Sequence, residues 1–174
     1  MSFNNLGLSS ALLKSVLEKG YTKPSEIQKE AIPEILQGKD ILAGAQTGTG
    51  KTAAFALPLL HKLQNAESKR RRIRVLVLVP TRELASQVGE SFREYGSNLR
   101  FKTSTLYGGV SINTQIDKLK KGVDIVVATP GRLLDHLNQK TLNLSELETF
   151  VLDEADRMLA VSYTHLRAHE TSQN

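Results

Sequence analysis

Ile41-Leu42-Ala43-Gly44-Ala45-Gln46-Thr47-Gly48-Thr49-Gly50-Lys51-Thr52 is the stretch on which the fold of this chain turns. A short apolar run enters it, and the Ala-rich apolar segment Thr52–Leu60 leaves it. That order predicts a strand, a glycine-rich turn and a helix. Such a turn lets backbone N–H groups converge on an anion, and the helix N-terminus adds its positive end. Lys51 has the reach to contact outer phosphates, and the Thr52 hydroxyl suits Mg²⁺. Ala45 stands where the usual pattern has Gly. The competing explanation is a flexible Gly/Thr turn ahead of a core helix. The predicted strand before and helix after supply the context that the phosphate pattern requires.

Further along the chain, Val75-Leu76-Val77-Leu78-Val79 is apolar without alternation, as expected of a strand buried on both faces in a parallel sheet. It stops at Pro80, after which Thr81 can cap a helix that has Glu83 in its first turn and ends near Gly96. Phe101–Tyr107 reads as a strand stopped by Gly108-Gly109, followed by a helix over Ser111–Lys120. Ile125–Ala128 reads as a strand stopped by Thr129-Pro130-Gly131-Arg132, with a helix through Asn138. Phe150-Val151-Leu152 is a last strand, stopped by Asp153-Glu154-Ala155-Asp156. Strands alternate with helices at least four times, which implies a parallel sheet covered on both faces. Each polar tetrad falls just past a strand's carboxyl end, the edge where open α/β sheets bind ligands.

Upstream, Ser9 or Ser10 can cap a helix with Leu12, Leu13, Val16 and Leu17 on one face, stopped by Gly20. Ser25 and Gln28 have capping-box spacing at the head of a helix over Glu26–Gln37, so capping is one role for Gln28. Pro33 should kink or break that helix, and Pro58 should bend the one after the turn. Lys69-Arg70-Arg71-Arg72-Ile73-Arg74 is the densest basic run. It reads as a solvated surface loop rather than a nucleic-acid contact, since no aromatic residue interleaves it.

The 174 residues, 40% hydrophobic, suffice for one globular domain with a sizeable core. A net charge of +5 permits a polyanionic partner. The absence of Cys excludes disulfides, Cys-ligated zinc and thiol chemistry, and fits a reducing compartment. Met1–Asn5 has neither a basic nor an apolar leader region, and Ala53–Leu60 is too short to cross a bilayer, so a cytoplasmic protein is expected. Asp153 at a strand end stands where nucleotide hydrolases hold Mg²⁺, with a neighbouring acid to orient or deprotonate water. Taken alone, the three acids of Asp153–Asp156 could equally serve the dipole of a following helix.

Together these motifs resemble the first RecA-like domain of the DEAD-box ATP-dependent RNA helicases. The namesake tetrad is Asp153-Glu154-Ala155-Asp156, and Ala45–Thr52 matches the first motif, Ala included. Pro80–Ala85, Gly108-Gly109 and Thr129–Arg132 match RNA-facing motifs, Gly20–Gln28 matches the adenine-reading Q motif, and Phe3 lies at the upstream aromatic position. All six occur in family order across Phe3–Leu159, and the overall wording resembles the bacterial RhlE-like branch. The resemblance implies an α/β, RecA-like domain that binds ATP and Mg²⁺. Phe3 and Gln28 would recognise adenine. Ala45, Gln46, Thr47, Gly48, Thr49 and Gly50 would form the phosphate turn. Lys51 would act on the outer phosphates, Thr52 and Asp153 would manage Mg²⁺, and Glu154 would activate water. Arg82, Gly109, Thr129, Gly131 and Arg132 would hold the backbone of one RNA strand without reading bases.

The match implies three segments: residues 1–39 with the Q motif and N-terminal helices, a core over 40–159, and a tail over 160–174 foreign to the family. The Ser-Ala-Thr motif and the second domain do not occur in this sequence. Because the strand preceding Ser-Ala-Thr usually lies between the phosphate-turn strand and the acidic strand, the sheet is expected to lack an interior strand. The expected activity of this stretch alone is little or none. A non-catalytic nucleotide- or RNA-binding fragment is the alternative. A GTPase would need an Asn-Lys-x-Asp run, which is absent. His165 and His169, four apart, could grip a metal if helical, but a disordered tail is the simpler expectation.

Overall fold

The computed structural model describes residues 1–46, 48–66 and 70–158. Expectations placed on Thr47, Lys69, Leu159, His165 and His169 lie outside those residues. The chain divides into two compact units. One is Met1–Arg71 with Val88–Thr103, and the other is Arg72–Gln87 with the chain from Ser104 onward.

The first unit contains α1 (Ser10–Glu18), α2 (Glu26–Leu36), α3 (Lys51–Asn65) and the later part of α4 (Arg82–Tyr95). A short 3-10 turn, Phe3–Asn5, precedes them. In α1, Leu12 and Val16 are buried but Leu17 is 71% exposed, contrary to the expected stripe. Successive residues turn by about 100°, so Leu17 swings off the row that Leu12 and Val16 share. Neither proline breaks its helix: Pro33 lies inside α2 and Pro58 inside α3. Each costs a backbone bond. Burial of Ala31, Ile32 and Ile35 in α2 and of every residue from Ala53 to Leu60 in α3 offsets that cost. α2 and α1 pack on α3, and the Phe55 and Phe92 rings sit 6.1 Å apart, tilted.

The second unit is built on a four-stranded parallel sheet in the order β2-β3-β1-β4. Its strands are β1 (Val75–Leu78), β2 (Thr103–Leu106), β3 (Ile125–Ala128) and β4 (Thr149–Leu152). Val77 lies opposite Val127 on one side and Val151 on the other, so β1 is paired along both edges. α5 (Ile112–Lys121) and α6 (Pro130–Asn138) are the crossover helices after β2 and β3. Leu76, Leu106, Val126, Ala128, Leu133 and Leu142 form a core cluster, with Leu119 and Leu147 packed against it. β3 is buried throughout, whereas β4 at the sheet edge leaves Phe150 53% and Leu152 48% exposed.

The strand expected at Ile41-Leu42-Ala43 does not form. Ile41 is 42% exposed and Leu42 fully exposed. A strand is defined by its ladder, and among the described residues these three have no strand partner, so apolar sequence alone does not order them. Among the described residues, no helix is long and apolar enough to cross a membrane.

Candidate functional site

The glycine-rich turn expected to hold phosphates belongs to the first unit. Gly50 is the N-cap of α3 in a left-handed conformation, φ +79°, and no side chain caps the helix. The first turn of a helix carries backbone N–H groups without intrahelical partners, so an uncapped start is suited to an anion. Thr49 Oγ1 donates to the Gln46 carbonyl at 2.7 Å, closing the turn on itself. Lys51 and Thr52 follow as the first two helical residues, both half-buried.

Gln28 is 5% exposed and spans two elements. Its Oε1 accepts the Ser25 N–H at 3.0 Å, the cap expected from spacing. Its Nε2 donates to the Gly50 carbonyl at 3.0 Å, which ties the head of α2 to the glycine-rich turn. Only glycine fits at 50, because a Cβ there would collide with the Gln28 amide. A cavity of about 460 Å³, within the size range of ligand pockets, is lined by chain neighbours of these two residues and not by Gln28 or Gly50 themselves. Ser25, Ile27 and Glu30 line it together with Ala45, Gln46 and Thr49. Phe3 is buried to 5% in the N-terminal turn and does not line this cavity.

In the second unit the five residues expected to meet RNA fall at the carboxyl ends of three neighbouring parallel strands. Arg82 begins α4 after β1, where Thr81 Oγ1 accepts the Leu84 N–H at 3.2 Å as a cap. Gly109 follows β2, and Thr129, Gly131 and Arg132 follow β3. The Thr129 N–H donates to the Leu106 carbonyl at 3.0 Å, holding the start of α6 against the end of β2. Arg82 lies over the Tyr107 ring, 5.2 Å from its centroid, a cation–π contact. A Cβ on Gly109 would come within 2.9 Å of Arg82 Nη1, and the residue has φ +83°. Glycine at 109 therefore makes room for the guanidinium. Arg132 Nη1 donates to the Val110 carbonyl at 3.1 Å and to Gln115 Oε1 at 3.2 Å.

Tyr107, Gln115, His136 and Thr141 were not singled out by motif. One signal was present: Gln115 sits at core spacing with Ile112, Ile116 and Leu119, a polar residue on an apolar face. Gln115 is 5% and His136 0% exposed. Burial pushes the His136 imidazole below its ordinary pKa, the Arg132 guanidinium pushes the same way, and Asp135 opposes them.

Asp153 follows β4 on the same sheet edge, 5% exposed, its N–H donating to the Leu78 carbonyl at 3.0 Å. Glu154 adopts φ +55°, a left-handed conformation uncommon outside glycine. Its Oε2 lies 2.7 Å from Arg157 Nη1. Asp156 is exposed. Among the described residues, no group of three or more His, Cys, Asp or Glu is placed to hold a metal by itself.

The basic run differs from the expected solvated loop. Arg71 donates to the Arg100 carbonyl. Arg72 lies 3.6 Å from Glu146 and 3.8 Å from Glu148. Arg74 is 2% exposed, its Nε 3.1 Å from Glu148 Oε2. Its backbone pairs with Asp124 on one side and with Glu148 and Thr149 on the other. The end of the run is thus the entry to β1, and sheet pairing buries it.

A parallel α/β sheet with polar loops along one edge, together with a lysine-bearing turn at a helix start, defines a nucleotide-binding domain of the phosphate-loop class. The chain belongs to the DEAD/DEAH box helicase family, whose pattern matches residues 25–171. It is 52% identical over 162 residues to the DEAD-box ATP-dependent RNA helicase CshA of Bacillus cereus, covering 93% of this chain and 30% of that protein. It is 49% identical to the DEAD-box ATP-dependent RNA helicase RhpA of Helicobacter pylori, covering 93% and 32%. It is 49% identical to the ATP-dependent RNA helicase DeaD of Buchnera aphidicola, covering 94% and 27%. The chain thus spans about 30% of the length of these curated relatives. None of the three names supports the RhlE-like branch. The family match runs past Leu159 into the stretch set apart by sequence as a tail.

Proposed function

We propose that this chain is the ATP- and RNA-binding part of an ATP-dependent RNA helicase, with little turnover of its own. The observation that carries the proposal is the Gln28 amide bonded to the Gly50 carbonyl, with chain neighbours of both lining a ligand-sized cavity. It joins the motif that would read adenine to the turn that would hold phosphates. In this reading adenine enters near Gln28, with Phe3 as the upstream aromatic, and gives ATP preference over GTP. Backbone amides of Gln46–Lys51, Thr47 among them, receive the phosphates, and the Lys51 side chain contacts the outer ones. The Thr52 hydroxyl and Asp153 carboxylate are hard oxygen donors, suited to Mg²⁺, which would neutralise phosphate charge. Glu154 orients or deprotonates the attacking water.

Arg82, Gly109, Thr129, Gly131 and Arg132 grip the sugar–phosphate backbone of one RNA strand. Such contacts carry no base readout, so binding is sequence-independent and weakens with salt. The cytoplasmic location is part of the same proposal.

Two measurements test it. In competition assays ATP should displace a fluorescent adenine nucleotide better than GTP, and Lys51→Ala should cost about 2 kcal/mol of affinity, roughly thirtyfold. RNA-stimulated phosphate release should stay near background. GTP preference removes the adenine assignment, and turnover like an intact helicase defeats the claim of low activity.

A further inference from the structure

Behind the rim of the second unit lies a buried polar cluster that none of the motifs accounts for. Gln115 is its centre. Its Nε2 donates to the Tyr107 carbonyl at 3.0 Å. Its Oε1 receives Arg132 Nη1 at 3.2 Å and faces His136 Nε2 at 2.9 Å. His136 Nδ1 lies 2.8 Å from Thr141 Oγ1.

The donors and acceptors fix the orientation of the Gln115 amide. Arg132 can only donate, so the Gln115 oxygen must face it, and the Gln115 nitrogen must face the Tyr107 carbonyl. His136 Nε2 then carries the proton and donates to the second lone pair of that oxygen. In the neutral imidazole, Nδ1 is an acceptor facing the Thr141 hydroxyl, whose single proton is shared between it and the His136 carbonyl at 3.2 Å. Turned over, the Gln115 amide would set its nitrogen against both Arg132 and the imidazole N–H. Only one orientation of the amide pairs it with Arg132 and with the Tyr107 carbonyl at once, and burial makes the other costly.

We propose that Gln115 is a positioning residue that couples the loop after β2 to the start of α6, so that Arg82 and Arg132 meet one RNA strand as a preset pair, with His136 holding its amide in register. One side of Gln115 fixes Tyr107, whose ring carries the Arg82 guanidinium. The other side fixes Arg132, which also donates to Val110 in the same loop. Fixing both in advance lowers the entropy cost of binding a backbone. The inference rests on the RNA reading above.

The test uses the 174-residue chain and a labelled oligouridylate, with anisotropy titrations across a KCl series. Gln115→Leu should weaken binding about tenfold, since a mis-set guanidinium loses a charged hydrogen bond. The slope of log affinity on log salt should shrink by about 0.7, one single-strand phosphate contact. A purely structural role would leave that slope unchanged in a folded variant. The double variant with Arg132→Ala should lose clearly less than the product of the two single losses, because part of the Gln115 effect runs through Arg132. Binding of a fluorescent ATP analogue should be unaltered.

Should Gln115→Leu fail to fold, Gln115→Glu carries the test. It keeps the acceptor for Arg132 and His136 but cannot donate to Tyr107, and about a threefold loss is expected. Wild-type affinity and slope in the variants, or additive losses in the double variant, overturn the inference alone. A wild-type chain that binds no RNA overturns the RNA reading, and this inference with it.

Discussion

The glycine-rich turn in the first unit and the loop rim of the second, which we propose to meet phosphate and RNA, are built in opposite ways. The rim is supported from behind. Each of its loops leaves a strand that is paired within the chain, and Gln115 and His136 tie two of those loops together under cover. The turn is supported on its helix side by α3 and the Gln28 amide. On its entry side Ile41-Leu42-Ala43 has no strand partner among the described residues, and Leu42 is fully exposed. A ligand loop is only as fixed as the elements at both of its ends. The rim is preorganised by the chain itself, whereas among the described residues the turn is held by the Thr49 hydroxyl on the Gln46 carbonyl and by the Gln28 amide on the Gly50 carbonyl.

The two glycines that open these sites give the sharpest contrast. Gly50→Ala should have the largest effect. A left-handed alanine costs about 1–2 kcal/mol, and the new methyl meets a Gln28 amide that is buried and already committed as a cap. ATP affinity should fall roughly thirtyfold for a loss of about 2 kcal/mol, with RNA affinity unchanged. Loss of RNA binding in the same variant would break the separation of the two sites.

Gly109→Ala should do less, although φ is similar. Its neighbour is the exposed end of Arg82, which can move aside. RNA affinity should fall about fivefold, near 1 kcal/mol, with ATP affinity intact. An effect as large as that of Gly50→Ala would show that Arg82 is held more rigidly than its ring contact implies.

Acid sharpens the comparison through one histidine in each unit. Burial lowers the pKa of His61 in α3, and burial together with Arg132 lowers that of His136. A depressed histidine resists the proton that the unfolded chain takes up near 6.5, so its contribution to stability is complete above that pH and is lost as pH falls below it. The melting temperature should drop on acidification from pH 7 to 5. His136→Gln should flatten that slope by about 2–4 °C, and His61→Gln by less, because His61 is only half-buried. Equal slopes in both variants would place the acid-sensitive group elsewhere.

The smallest effect should come from the sheet edge. Phe150→Ala removes a half-exposed ring from β4 and should change stability by about 0.5 kcal/mol or less in chemical denaturation. A loss of 2 kcal/mol would mean that the ring is covered in solution.

Much of the architecture could be read directly from residue order. The runs at Val75–Val79 and Ile125–Ala128 are apolar without alternation, and they became the two interior strands because only burial on both faces suits such a run. The Thr81 cap was legible for a similar reason: it depends on neighbours three residues away. So was the contact of Gln28 with its own helix, though its reach to Gly50, twenty-two residues on, was not.

Sequence by itself therefore determined the order of strands and helices, the family, and which loops carry charge and glycine, since each is encoded within a few residues. Tertiary structure alone decided that Arg74 is buried, that Pro33 and Pro58 are absorbed by their helices, and that Ile41–Ala43 does not become a strand. It also decided that Gln115 joins two loops. The physical reason is common to these cases. Pairing, burial and the satisfaction of a polar side chain depend on partners supplied by distant parts of the chain, and local pattern carries no record of whether those partners arrive.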